Sequence, residues 1–169
     1  NYNNASGCTA VTPTSSTATN VTARPTPTFT VQPGATACTA TDVTYTTQAG
    51  MTNYAWVVPG VLGTDYSITS GGIGAANNTV TLQWLTAGSK TVTINYNNAG
   101  GCSATTPTSS TATTVTARPS PTFTTQAGAN VCAGIDVTYT TQAGMTNYVW
   151  AVPGVLGTDY SITSGGIGV

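Results

Sequence analysis

The sequence predicts an all-β protein, and three observations support this fold class. Residues that suit pleated strands are abundant, with 39 Thr and eight Tyr among 169 residues. Apolar residues alternate with Thr or Asn along short runs, which is the period of a strand with one buried face. Pairs such as Pro-Gly, Ala-Gly and Gly-Gly separate the runs and mark turns.

The first four predicted strands are Pro27–Gln32, Asp42–Thr47, Asn53–Val58 and Tyr66–Thr69. The first carries Phe29 and Val31 on one face, and the second carries Val43 and Tyr45. The third places Trp56 between two further apolar residues, one two positions before it and one two positions after it. The fourth strand is short. Each of these strands therefore has one face for a core and one face for solvent.

The last three predicted strands are Asn78–Trp84, Ser89–Asn97 and Ala112–Ala117. Alternation is regular in the first of these, where Val80, Leu82 and Trp84 are separated by Thr and Gln, and Ile94 and Tyr96 continue it in the next. The outward faces are mostly Thr, which suits a pleated strand and stays soluble without charge. Seven short strands at this spacing are typical of an immunoglobulin-like β-sandwich.

A repeat of 94 residues organises the chain. The sequence of Asn1–Cys8 returns at Asn95–Cys102, and 60 of the 75 positions that can be compared at this offset are identical. Pro-rich stretches that begin at Arg24 and Arg118 are the expected linkers, because Pro favours extended backbone. We therefore expect the C-terminal strands of one repeat in residues 1–23, a complete repeat in 24–117 and the N-terminal half of another in 118–169.

Charge is scarce, since only three Lys or Arg and four Asp are present and there is no His. Without His or Glu the usual general acids, general bases and metal ligands are missing, so we expect neither an enzyme nor a bound cofactor or metal. Three cations cannot neutralise a row of phosphates, which excludes nucleic acid as a partner. No run of 18 apolar residues occurs, so no membrane-spanning helix is predicted.

Four segments carry a resemblance to a known family: VTYTTQAGMTNYAWVVPG at Val43–Gly60, TVTLQW at Thr79–Trp84, SKTVTINYNNAGGCSA at Ser89–Ala104 and VTARPSPTF at Val115–Phe123. They resemble the PKD-like, immunoglobulin-like repeats that occur in very large secreted surface proteins of Bacteroidetes. The turn after Trp56 differs from that of a typical PKD domain, because Val-Val-Pro-Gly stands in place of an acidic turn.

The resemblance implies a structural role outside the cell. Similar arrays occur in gliding-motility adhesins and other cell-surface filaments exported by the type IX pathway, so the chain is expected to be part of an extracellular shaft that gives reach and mechanical stability. The expected partners are neighbouring repeats of the same polypeptide, other copies in a filament, and surface polysaccharide or a host or substratum surface. The alternative is a β-sandwich module of a secreted protein that binds a glycan or another surface polymer.

Four cysteines are candidates for structural disulfides: Cys8, Cys38, Cys102 and Cys132. They form no CxxC pair and have no His to accompany them, so a disulfide in an oxidising compartment is favoured over zinc. A Cys38–Cys102 bridge within the complete repeat would close a long loop. The alternative joins the Cys38 end of one repeat to the Cys102 end of the next, because the second and sixth predicted strands run in the same direction and place these cysteines at opposite ends.

The predicted core aromatics are Trp56, Trp84, Tyr96 and Trp150, since each continues the apolar face of its strand. An exposed Trp56 or Trp84 would instead offer a platform for stacking against a sugar. The Asp residues are predicted to cap turns or strand starts, because two per repeat are too few for a calcium site.

Overall fold

The computed structural model describes residues 1–167, and within them the protein is all-β, with no helix. The strands of this part are β1 (Phe29–Val31), β2 (Thr36–Cys38), β3 (Asp42–Thr47), β4 (Thr52–Val57), β5 (Tyr66–Gly71), β6 (Thr79–Trp84), β7 (Gly88–Lys90), β8 (Thr93–Asn97), β9 (Thr108–Ser109), β10 (Thr113–Thr116), β11 (Phe123–Thr125) and β12 (Thr140–Thr141). The chain divides into two compact units, the first from Asn1 to Arg118 and the second beginning at Pro119.

Three sheets build the first unit. One has the order β1-β3-β6-β5, another the order β4-β8-β9, and the third the order β2-β10-β7, in which β2 and β10 are parallel. Their apolar faces meet in one core, which gives this unit a β-sandwich-like architecture. The core consists of Val43, Tyr45, Tyr54, Trp56, Val58, Tyr66, Val80, Leu82, Trp84, Val92, Ile94, Tyr96 and Val115.

Strand β6 shows how the sequence alternation builds this core. Val80, Leu82 and Trp84 are completely buried, whereas the residues between them lie on the half-buried opposite face. On that face the hydroxyl groups of Thr44 in β3 and Thr81 in β6 are 2.9 Å apart and hydrogen-bonded. Thr therefore pairs across the sheet where a charged side chain would stand in most soluble proteins.

One predicted strand is divided in the structure. Ser89–Asn97 is predicted as continuous, but Gly88–Lys90 pairs with β10 and Thr93–Asn97 pairs with β4, so the chain changes sheets between these segments. The apolar alternation is carried by Val92, Ile94 and Tyr96, all beyond β7, and a period of two does not reveal a change of sheet. Strands β2 and β9 have three and two residues, which are too few to show a period.

The second unit repeats the local pairing of the first. Phe123 of β11 lies opposite Thr141 of β12, as Phe29 of β1 lies opposite Thr47 of β3. In both units Phe also packs against a Tyr and a Trp, with Phe123 5.8 Å from both rings. The offset of 94 residues therefore conserves the turn and strand contacts that form locally.

Ala40 has a backbone conformation that alanine rarely adopts, with φ of 55°. Gly134 occupies the same position of the repeat and has φ of 81°. The left-handed region costs an L-residue about 1–2 kcal/mol, while Gly loses more chain entropy on folding. We expect Ala40→Gly to raise the free energy of unfolding of the first unit by about 1 kcal/mol.

Urea unfolding measures this effect. Ala35→Gly is the control, because Ala35 does not have a positive φ and Gly there should only lower stability. A midpoint that falls equally in both variants would contradict the interpretation.

Candidate functional site

The first unit has two ends, which we call the entry pole and the exit pole. The chain enters β1 where Phe29 pairs with Thr47, the last residue of β3. It leaves β10 where Thr116 pairs with Cys38, shortly before β3 begins at Asp42. The six residues of β3 separate these points by about 20 Å. A repeat therefore receives the chain at one end and releases it at the other.

At the exit pole, hydrogen bonds from Arg118 connect the end of β10 to the turn of residues 39–41. Its Nε donates to the carbonyl oxygen of Thr39 at 2.8 Å, and its Nη2 donates to the carbonyl oxygen of Ala40 at 3.3 Å and the hydroxyl of Thr41 at 2.9 Å. Sequence reasoning missed this role. The available signal was the return of Arg24 as Arg118 in a chain with only three cations.

At the entry pole, the turn of residues 98–103 binds the chain where the repeat begins, at Ala23 and Arg24. The Nδ2 of Asn98 donates to the carbonyl oxygen of Ala23 at 2.6 Å, and the Nη1 of Arg24 donates to that of Ser103 at 2.9 Å. Asn98 also shapes the turn, because its Oδ1 accepts the N–H of Cys102 at 2.9 Å. At each pole, therefore, backbone carbonyl oxygens accept hydrogen bonds from the arginine that begins a Pro-rich linker. We call Arg24 and Arg118 the junction arginines.

The four candidate cysteines are free thiols in this structure. Cys38 lies at the exit pole, and Cys102 lies at the entry pole, where its Sγ is 3.7 Å from the carbonyl oxygen of Thr22. A disulfide requires Cα atoms within about 7 Å, and the poles are about 20 Å apart. Of the two pairings left open by the sequence, the bridge between Cys38 and Cys102 of one repeat is therefore incompatible with this geometry. Cys8 and Cys132 are exposed.

The candidate aromatics of the first unit are all buried: Trp56 and Tyr96 are nearly so, and Trp84 completely. The Nε1 of Trp56 donates to the carbonyl oxygen of Asn77 at 2.7 Å, and its ring packs against Phe29. Neither indole of this unit presents a face to a sugar. Trp150 is half-buried in the second unit.

Three of the four Asp side chains accept hydrogen bonds from the protein itself. Asp65 Oδ2 accepts the N–H of Val61 at 2.8 Å, and Asp159 Oδ2 accepts that of Val155 at 2.7 Å, so both close the same turn. Asp42 Oδ1 accepts the Nε2 of Gln83 at 2.8 Å. Across residues 1–167, no group of three His, Cys, Asp or Glu is placed to hold a metal ion.

The second unit has a cleft of about 500 Å³ whose lining includes Phe123, Gln142, Tyr148 and Trp150. The lining of the cleft is largely apolar, and the rings of Phe123 and Trp150 pack against each other in it. Tyr139, whose ring packs against Phe123, is 51% exposed. No strand of the second unit, as far as it is described, covers this cleft.

The first unit shows what covers the same positions. Tyr96 of β8 packs there with its ring 5.8 Å from that of Tyr54, and its hydroxyl donates to the carbonyl oxygen of Thr26 at 3.2 Å and contacts Gln48 Oε1. Tyr45, the equivalent of Tyr139, is completely buried in the first unit. The cleft therefore has the shape and chemistry to accept a strand with the alternation of β6 and β8.

Two buried phenols make the first unit sensitive to alkali. Burial raises the pKa of Tyr45 and the pKa of Tyr96 above the ordinary value of about 10. Because both folded and unfolded states keep these protons below pH 10, the full stability is present there. It is expected to fall as the pH rises above 10 towards the folded-state pKa, where the unfolded state ionises first.

Tyr45→Phe tests this expectation. The Tyr45 hydroxyl is buried beside Trp84 and Thr113 without a hydrogen-bond partner in the described structure. Its removal should leave stability at pH 7 unchanged or raise it by up to about 1 kcal/mol, and should reduce the loss above pH 10. Urea midpoints at pH 7 and pH 11 measure both effects. An equal alkaline loss in the variant would exclude Tyr45 as its source.

No family model matches the chain, and no curated protein matches it either. Among the described residues, no helix has the length and apolar character needed to cross a membrane.

Proposed function

We propose that this chain is a stretch of tandem immunoglobulin-like repeats that forms the shaft of an extracellular adhesin or surface filament. The observation that carries the proposal is the separation of the poles. A chain that enters each repeat at one end and leaves it at the other gains length with every copy, whereas a repeat with adjacent ends would fold back.

Three further features support this role. The linkers after Arg24 and Arg118 contain Pro at alternate positions, which restricts bending between repeats. The junction arginines hold the linkers against the poles through short hydrogen bonds. The outward faces are Thr-rich and almost uncharged, so they offer few groups for ions or catalysis. The resemblance to PKD-like repeats of Bacteroidetes surface proteins exported by the type IX pathway supports the extracellular setting.

The shape of lengthened chains tests the proposal. One, two and three further copies of residues 24–117 are inserted after Ala117, and small-angle X-ray scattering in reducing buffer gives the maximum dimension of each protein. We expect a constant increment of at least about 20 Å per copy, the distance between the poles. If the maximum dimension grew only with the cube root of the chain length, as it does for a compact particle, the proposal would be contradicted.

A further inference from the structure

The exit pole places Cys38 beside one particular backbone carbonyl. Thr116 and Cys38 are Cα partners in the parallel pairing of β10 with β2. The N–H of Thr39, which directly follows Cys38, donates to the carbonyl oxygen of Thr116 at 2.9 Å. Paired strands lie about 4.8 Å apart, so the Cys38 backbone lies within that distance of Thr116.

The entry pole places Cys102 beside the equivalent carbonyl. The Sγ of Cys102 lies 3.7 Å from the carbonyl oxygen of Thr22. Thr22 and Thr116 occupy the same position of the 94-residue repeat, each two residues before a junction arginine. A carbonyl oxygen has two lone pairs, so one oxygen can accept both an N–H and an S–H donor.

The two poles together assign a modification site. We propose a disulfide across each junction, between the cysteine at the Cys38 position of one repeat and the cysteine at the Cys102 position of the next. Both flank the same carbonyl, which brings their Cα atoms close to the range that a disulfide needs, about 4.4–6.8 Å. This inference rests on the tandem arrangement of the proposed function.

The junction arginine is compatible with this cross-link. Arg118 binds the turn that follows Cys38 through Nε and Nη2, and Arg24 binds the turn that contains Cys102 through Nη1. One guanidinium group can make both sets of contacts, because they use different nitrogen atoms. The same side chain then holds both turns while the two sulfur atoms meet.

The bond forms by exchange with a small-molecule disulfide. The thiolate of one cysteine attacks the small disulfide and releases one small thiolate, and the thiolate of the second cysteine attacks the mixed disulfide and releases the other. Two protein thiols are oxidised with loss of two protons, and one disulfide is reduced to two thiols. An oxidising extracellular compartment maintains this product.

Such cross-links would limit the extension of an array under force. Each bond carries force directly from the Cys38 position of one repeat to the Cys102 position of the next. The chain between these two cysteines is bypassed. The following bypass begins at the Cys132 position, 30 residues beyond Cys102. The shortest covalent path through two repeats therefore contains only that 30-residue segment.

An extended chain tests the proposal. A copy of residues 24–94 is added before Asn1, so that residues 1–23 complete a full preceding repeat. The protein is equilibrated with oxidised and reduced glutathione, and non-reducing peptide mapping identifies disulfides. We expect one bond, between Cys102 and the added copy of Cys38, with Cys8, the original Cys38 and Cys132 remaining free. Bonding between Cys38 and Cys102 of one repeat, or five free thiols, would overturn the proposal.

Matched variants separate the two copies of Cys38. Cys38→Ser in the original sequence should leave the bond intact, and the same substitution in the added copy should abolish it. Scattering in reducing buffer reports elongation independently, so a rod without a bond rejects the cross-link and retains the shaft.

Discussion

Replacing Trp56 by Ala is expected to lower the free energy of unfolding of the first unit by about 3–5 kcal/mol, the range for large buried aromatics. Trp56 is 7% exposed, packs against Phe29, and donates a hydrogen bond to Asn77. The substitution leaves a cavity and removes the partner of a carbonyl oxygen. Because whole domains are stable by about 5–15 kcal/mol, the variant should be close to unfolding at 37 °C.

The second unit provides the matched control for this prediction. Trp150 occupies the same position of the 94-residue repeat but is half-buried, so Trp150→Ala should cost about 1 kcal/mol or less. Urea unfolding followed by hydrogen exchange and mass spectrometry resolves the two units. Equal losses in both variants would show that burial does not set the effect.

Adding further strands of the repeat to the second unit is expected to have an effect of at least similar size. A copy of residues 76–117 added after Val169 restores the 94-residue order and supplies equivalents of β6 to β10. These strands should cover Phe123, Tyr139 and Trp150 as their equivalents are covered in the first unit. Each large apolar side chain removed from water contributes about 1.5–3 kcal/mol. We expect the second unit to gain at least about 5 kcal/mol, the lower limit for an ordinary domain.

Amide hydrogen exchange of residues 119–167 measures this gain. Exchange should be slower in the protein with the addition than in the protein without it. In the control addition, the equivalents of Val80, Leu82 and Trp84 are replaced by Ser, which keeps the length and removes the apolar face. The control should give no protection. Equal protection from both additions, or from neither, would show that the cleft does not select an apolar strand.

The sequence predicts regular strands well where apolar residues alternate over six positions. Asp42–Thr47 and the segment ending at Trp84 are examples, and the all-β class follows from them. Short strands such as β2 are missed because three residues pair through tertiary contacts rather than through a detectable period. The same limit applies to the poles. Arg118 contacts residues 39–41, which precede it in the chain by 77 to 79 positions.

The sequence by itself determined the fold class, the scarcity of charge and the 94-residue repeat, because each is a property of residue types and their order. Only the tertiary structure decided where the chain enters and leaves the unit, which cysteines lie at which pole, and where Ser89–Asn97 changes sheets. Alternation fixes which face of a strand is buried, but strand direction and neighbours are fixed by pairing over long distances. The distance between Cys38 and Cys102 in one repeat follows from that pairing, and so do the contacts from which the cross-junction disulfide is proposed.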